Sequence, residues 1–311
     1  MPENSHFRKN HVRQEFESWV DYYATAREKT PWLAGQLKIV EGMMGGKNGL
    51  VLDIGCAAGA ELSWLNYRGF QVIGTDLSSQ MLLSARKRFP ANSAVQLCTA
   101  DLESLPFRAN SVDHVVCLGV LEYLPSYSRA LNEIHRVLRP GGSAVFSIPT
   151  RISFERISYK LCHWTVIPAW RKIRRILGDN RARLPLSFAW NRCLPWSFRR
   201  LLQHHGLQPR VSAYSSFLIF PLEQVWPAAQ FRIAGVMEHL SDSWLLGWTL
   251  SQYLICVDKE HTASERASNK NKRVIQTLQS NGAELITKNL LLSQMYKALH
   301  SPSRVDKVIC I

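Results

Sequence analysis

A short apolar run, Leu50–Ile54, leads into a cluster of small residues, with Asp53 followed by Gly55-Cys56-Ala57-Ala58-Gly59. Small side chains at a strand-to-helix turn let the backbone come close to a ligand, and the next helix offers free N–H groups. A second β-rich run ends at Asp76, 23 residues after Asp53. A carboxylate placed there can accept both ribose hydroxyls of an adenosine-type ligand. The glycine spacing bears on which ligand. Nicotinamide-dinucleotide folds want G-x-G-x-x-G; this loop reads G-x-x-x-G, with an acid two positions before the first glycine. A tight turn with an unrelated surface acid would use the same residue types, so these two features alone do not decide.

Positioning these residues requires a βαβ scaffold. Strands are expected at Leu50–Ile54, Gln71–Gly74, Ala94–Thr99, Val112–Leu118 and Ser143–Ile148, with helices at about 60–67, 79–88 and 125–138 between them. Such alternation makes a parallel sheet with helices on both faces. Pro140-Gly141-Gly142 reads as a helix stop and a hairpin-like approach to the next strand. Five zones follow: a helical lead-in (1–48), the ligand-binding core (49–149), a basic Trp-rich cap (150–195), the completion of the sheet (196–260), and a linker with a helical tail (261–311). The lead-in carries Phe16, Trp19, Tyr22 and Tyr23 at helical spacing. The later zones suggest a helix near 196–205, strands at Val211–Phe220 and Tyr253–Val257, a polar linker at Thr262–Arg273, and a tail helix at 284–299.

Five segments, in order, resemble the motifs of class I S-adenosylmethionine-dependent methyltransferases. They are VLDIGCAAG (Val51–Gly59), GTDLS (Gly74–Ser78), ADLESLPF (Ala100–Phe107), SVDHVVCLGVLEYL (Ser111–Leu124) and EIHRVLRPGGSAVFSIP (Glu133–Pro149). The pattern is most similar to small-molecule enzymes of the ubiquinone-biosynthesis type. The resemblance implies a doubly wound, mostly parallel seven-stranded α/β sheet, with S-adenosyl-L-methionine as cofactor. By the same resemblance Gly55, Gly59 and the backbone at Cys56 and Ala57 line the methionine part, with Asp53 ordering its amino group through water. Asp76 takes the ribose hydroxyls and Leu77 the adenine face. Asp101 and the Leu102 N–H meet the adenine edge, and Leu118 faces the methionine moiety. Tyr22 and Tyr23 are read either as a lid or as ordinary core. One departure stands out: the family's middle glycine is Ala57 here. At positive φ, alanine costs about 1 kcal/mol relative to glycine.

Methyl transfer from a sulfonium is an in-line displacement that gains much of its rate from alignment and exclusion of water, so no single side chain is obligatory. No catalytic residue is assigned. His114, His163, His204 and His205 are candidate bases, and Cys117 lies near a strand end. The ubiquinone-pathway enzymes carry an acid and then Glu-His at the fourth-strand exit as metal ligands. Here the positions are Gly119, Glu122 and Tyr123, so no metal is expected; Glu122 is read as the start of the next helix. Amino-methylating nucleic-acid enzymes show Asn/Asp-Pro-Pro-aromatic at this exit, where this chain has Leu118-Gly119-Val120-Leu121.

The net charge of +14 is concentrated: between Thr150 and His205 stand twelve Lys/Arg against two acids. That block suggests an anionic partner. Segment 157–177 mixes Trp, Leu and Ile with Arg and Lys, as an interfacial helix does, although Pro168 divides it. It is equally readable as a solvated cap over the substrate. Seven scattered cysteines, no C-x-x-C pair and no leader-like segment lead us to expect a cytoplasmic protein, membrane-associated at the inner face if 157–177 binds lipid. The expected activity is methylation of a small-molecule or lipid-linked acceptor. The alternatives are an RNA methyltransferase using the basic cap and an inactive cofactor-binding scaffold.

Overall fold

In the computed structural model the residues described are 3–25, 31–45, 49–89, 93–151, 153, 157, 191–215 and 250–260. The chain divides into two units, 1–260 and 261–311, and every described residue belongs to the first. The segment 157–177 (Ile157 excepted), His163, residues 216–220, the polar linker and the tail helix lie outside the described residues.

Three helices lead in: α1 (Glu3–Glu17), α2 (Val20–Thr25) and α3 (Pro31–Met44). The core then alternates β1 (Leu50–Ile54), α4 (Ala60–Tyr67), β2 (Gln71–Asp76), α5 (Ser79–Arg86), β3 (Val95–Thr99) and β4 (Val112–Leu118). A 3₁₀ turn (Leu121–Tyr123), α6 (Ser128–Val137), β5 (Leu138–Pro149), α7 (Pro195–His204), β6 (Leu207–Ser215) and β7 (Gln252–Lys259) complete it. The seven strands stand in the order β3-β2-β1-β4-β5-β7-β6. β1 to β5 are parallel, while β7 runs antiparallel to both β5 and β6. The order reverses between β1 and β4, which opens a crevice beyond their C-terminal ends, where ligands of such sheets bind.

The strands read as nearly continuous apolar runs because both faces of the sheet are covered. Side chains alternate between two cores with the period-2 geometry of a strand. On one face Leu52 and Ile54 of β1, Cys117 of β4, Phe146 of β5 and Ile255 of β7 pack with Leu131, Ile134 and Val137 of α6 and Phe198 of α7. On the other, Val51, Val116, Val145 and Cys256 pack with Leu37 and Val40 of α3 and Leu62 and Leu65 of α4. Leu131, Ile134 and Val137 are fully buried, each contributing about 1.5–3 kcal/mol.

Four expectations are corrected. Pro140-Gly141-Gly142 is not a hairpin-like approach: β5 already begins at Leu138, paired with Val112, and its register against β4 shifts between Val112 and His114. Glycine is needed at 142 inside that irregularity, because an added Cβ would stand 2.7 Å from the Asp113 carbonyl oxygen. Glu122 does not start a helix. It is buried in the separate 3₁₀ turn, and α6 begins only at Ser128, beyond Pro125. The four aromatics at helical spacing do not share a helix, since α1 ends at Glu17 and α2 begins at Val20. β6 starts at Leu207, four residues before the expected Val211, and the register shift between Pro209 and Val211 absorbs the proline. An edge strand can carry a residue that donates no ladder hydrogen bond.

Candidate functional site

A cavity lies beyond the C-terminal ends of β1 to β4, with about 860 Å³ of atom-free space that includes open solvent. Its floor starts at the loop after β1. The N–H groups of Gly55 and Cys56 both donate to the Thr75 carbonyl, at 2.7 and 3.0 Å, which ties the loop to the neighbouring strand β2. Three left-handed residues then turn the chain: Gly55 (φ 74), Ala57 (φ 45) and Gly59 (φ 84). At Gly55 glycine is required twice over. Its φ is positive, and a Cβ would fall 2.2 Å from Cγ2 of Val120 at the β4 exit.

Asp76 ends β2 beside this loop. Its Oδ2 accepts the Ala57 N–H at 2.9 Å and its Oδ1 accepts the Ser78 N–H at 2.8 Å. Each oxygen keeps a further lone pair. Burial raises the Asp76 pKa above the usual aspartate value, although the N–H groups of Ser78, Ala57 and Leu77 act against the rise. Ser78 also caps α5, its Oγ accepting the Met81 N–H at 3.2 Å.

After β3, Asp101 accepts the Glu103 N–H on Oδ1 at 2.9 Å and the Lys9 ammonium on Oδ2 at 2.5 Å. Lys9 lies equally close, 2.5 Å, to Oε2 of Glu103. After β4, the Gly119 N–H donates to Oγ of Ser147 at 2.8 Å. Val120, Tyr123, Leu124 and Pro125 continue that wall with apolar surface. The cover comes from the lead-in helices. Lys9, Val12, Arg13 and Phe16 of α1 line the cavity, and so does Tyr23 of α2. Phe16 stands edge-on to Tyr123, with ring centroids 5.1 Å apart, and lies 5.8 Å from Tyr23.

Of the residues expected at the site, Gly55, Ala57, Asp76, Leu77, Asp101, Leu102 and Leu118 line one cavity. Asp53, Cys56 and Gly59 do not. Asp53 is 2% exposed beneath the loop, and Cys56 turns its thiol into the core beside Gly74. Burial and the nearby acids raise that thiol's pKa well above the ordinary value. Gly59 opens α4, where a Cβ would meet Ala85 and Phe89 at 3.2 and 3.3 Å. Tyr23 reaches the cavity, whereas Tyr22 is 44% exposed and does not.

The candidate bases within the described residues are not brought there. His114 pairs with Val51 at the opposite end of β1, its Nδ1 lying 2.8 Å from Oγ of Ser143. Its place three residues into β4 puts it below the strand ends that carry the loops. Nδ1 of His205, next to His204, lies 2.7 Å from Oδ1 of Asn132, behind α6. Cys117 is fully buried in the core, which raises its thiol well above the ordinary value. Among the described residues no three His, Cys, Asp or Glu side chains are grouped to hold a metal ion.

Sequence reasoning missed Lys9, Val12, Arg13 and Phe16. Their spacing of i, i+3, i+4 and i+7 marks one helix face, and that face was the available signal. α1 is otherwise so polar that it reads as a solvated start.

Residues 52–146 match a family model described as a methyltransferase domain. The chain is 31% identical over 160 residues to a malonyl-[acyl-carrier protein] O-methyltransferase of Pectobacterium atrosepticum, covering 51% of this chain and 56% of that one. It is 39% identical over 106 residues to a demethylmenaquinone methyltransferase of Staphylococcus epidermidis, covering 33% and 44%. The chain thus spans about half the length of these curated relatives. The fold is also that of a Haloferax volcanii putative methyltransferase solved with the Trm112 methyltransferase activator. That match has a TM-score of 0.57 and 21% identity, and it covers 81% of this chain and 98% of the other.

Proposed function

Residues 52–146 make this chain a member of the class I S-adenosylmethionine-dependent methyltransferases, and on that premise we propose that it methylates a small-molecule or lipid-linked acceptor. The observation that carries the reading is Asp76. It holds the β1 loop through the Ala57 N–H while lining the cavity beside Gly55 and Leu77. A carboxylate with one oxygen on each of two backbone N–H groups keeps its remaining lone pairs directed for a vicinal diol. The residues present therefore fit the cofactor. Asp76 would take the ribose hydroxyls, Leu77 the face of the adenine, and Asp101 together with the Leu102 N–H its edge. Gly55, Ala57 and Leu118 would lie along the methionine part, with Asp53 supporting from beneath.

When bound, S-adenosylmethionine supplies an electrophilic methyl group on a positively charged sulfur. What the chain contributes is placement and dryness. On this reading the loop at Gly55–Gly59 would fix one reactant, the β4 exit would meet it from the side, and Phe16, Tyr23 and Tyr123, which line the cavity, would limit the access of water. A displacement that neutralises charge is favoured by such a water-poor site. The apolar wall at Val120, Tyr123, Leu124 and Pro125 supports an acceptor with an apolar body. The named relatives act on a carrier-linked malonyl group and on demethylmenaquinone. The basic, Trp-rich sequence at 157–177 supports contact with an anionic membrane surface. Among the described residues no helix is long and apolar enough to cross a membrane.

Isothermal titration with S-adenosylmethionine tests the reading. The wild type should bind. Asp76→Ala should bind at least about 100-fold more weakly, since two charge-assisted hydrogen bonds contribute about 1.5–3 kcal/mol each. Asp76→Asn, which keeps the shape and one acceptor, should fall between them. A wild type that releases no heat would sink the proposal. Transfer of a labelled methyl group to lipid or metabolite fractions, and not to RNA, is then expected.

A further inference from the structure

Resting on that cofactor reading, we propose that Lys9 is a latch: its ion pair with Asp101 and Glu103 fastens α1 across the cavity, and cofactor can arrive or leave only when the pair opens. The geometry comes from two fastenings on one helix face. At one end the Lys9 ammonium lies 2.5 Å from Oδ2 of Asp101 and 2.5 Å from Oε2 of Glu103. At the other end Phe16 stands edge-on to Tyr123 beyond β4. Seven residues of helix separate them, a span of about 10 Å. The helix therefore reaches from the β3 exit to the β4 exit, over the loops of β1 and β2. Ser78 adds a weaker tie, its Oγ donating to Oε1 of Glu17 at 3.5 Å.

The pair is more than a surface contact. The side chains of Lys9 and Glu103 are 18% and 6% exposed. Burial alone would lower the Lys9 pKa, but hydrogen bonds and charge from Asp101 and Glu103 outweigh it and hold the ammonium above the usual lysine range. The neighbouring cation on the same face, Arg13, is exposed and has no ion pair with these acids among the described residues. Both Asp101 oxygens are engaged, Oδ1 by the Glu103 N–H and Oδ2 by Lys9. Asp101 is also the acid placed to meet the adenine edge. Lys9 thus joins the lid to the group that recognises the cofactor, as a positioning residue rather than a catalytic one.

A latch has a kinetic signature that a lost contact lacks. Removing a contact speeds dissociation alone, whereas removing a latch speeds both association and dissociation. The test uses the full chain, with stopped-flow association and dissociation of S-adenosylhomocysteine for wild type, Lys9→Met and Glu103→Gln. Both rate constants should rise about tenfold in Lys9→Met, the size of one charge-assisted hydrogen bond, and by less in Glu103→Gln. Amide hydrogen exchange without cofactor should show residues 9–17 less protected in Lys9→Met, with β1 and β4 unchanged. Faster dissociation with unchanged association would overturn the latch, and so would unaltered rates or unaltered α1 exchange. If the wild type does not bind S-adenosylhomocysteine, the cofactor reading fails, while the exchange data still report whether Lys9 fastens α1.

Discussion

The floor and the cover of the cavity are held by different kinds of force. The floor is pinned by bonds that all start at backbone N–H groups: Gly55 and Cys56 donate to the Thr75 carbonyl, Ala57 and Ser78 to the Asp76 carboxylate, and Gly119 to the Ser147 hydroxyl. Gly55 and Val120 interlock so closely that no side chain fits between the β1 loop and the β4 exit. Among the described residues every tie of the cover involves a side chain: Lys9, Phe16 and Tyr23 make contacts, and the Arg88 guanidinium donates to the Ala24 carbonyl at 2.6 Å behind them. Backbone ties between strands open only when the sheet opens, while side-chain ties can release one helix by local unfolding. The difference separates a surface that is ready before binding from a lid that can leave.

Substitutions that strike one part and spare the other can break or sharpen this contrast. The largest effect is expected for Gly55→Ala. Its methyl group would collide with Val120 at a positive φ, so unfolding in urea should show a loss of about 2–4 kcal/mol from strain and overpacking together. Lys9→Met should lower that global stability by less than Gly55→Ala does, since α1 can open locally while the sheet stays folded. Equal losses in the two variants would erase the distinction.

Acidity offers an intermediate probe. Burial raises the folded-state pKa of Asp76, so between the unfolded value near 3.9 and the raised folded value its charge is disfavoured by the fold. Its contribution to the stability of the cofactor-free protein should therefore fall as pH rises through that window, by at most about 1.4 kcal/mol per pH unit. Cofactor affinity should move the opposite way, because in the proposed role only the ionised carboxylate would accept both ribose hydroxyls. Affinity should drop up to about tenfold per pH unit below the folded pKa, beginning at a higher pH than an ordinary aspartate would give. Calorimetric titration across this range for wild type and Asp76→Asn checks it, and a pH-independent affinity would count against the role given to Asp76. The Lys9 pair behaves differently. The raised lysine pKa leaves its contribution intact in acid as far as the ammonium is concerned, and it is lost only as pH rises through the folded value.

The smallest effect belongs to Ala57→Gly. Relief of the positive φ contributes about 1 kcal/mol, but the alanine methyl belongs to the cluster of Ala57, Ala58 and Met81 on which Phe16, Val20, Tyr23 and Ala24 pack. Losing one buried methyl costs about 0.8 kcal/mol, so the net change in urea unfolding should stay within about 1 kcal/mol. Protection of α1 and α2 in hydrogen exchange should nevertheless fall. The departure from the family's glycine is thus coupled to the lid.

Much of the core was legible in the sequence. β1, β4 and α4 fall on the expected residues because their apolar runs are bounded by small or polar residues, and local pattern suffices where both faces are buried. Asp76 was legible from its place at the end of the second strand, 23 residues after Asp53, whereas Asp101 was reached only through the resemblance of ADLESLPF to a family motif. The sequence by itself determined the order of strands and helices through β5 and the acids at their ends. Only the tertiary structure decided what closes the site. That α1 lies over the cavity rests on contacts 92 and 107 residues apart, Lys9 with Asp101 and Phe16 with Tyr123. No local pattern encodes such pairing, because a polar helix face looks the same whether it meets water or a buried acid. The same reason removed His114 and Cys117 from the chemistry. Residue type nominated them, but the direction and register of β4 placed one at the wrong end of the strand and the other inside the core.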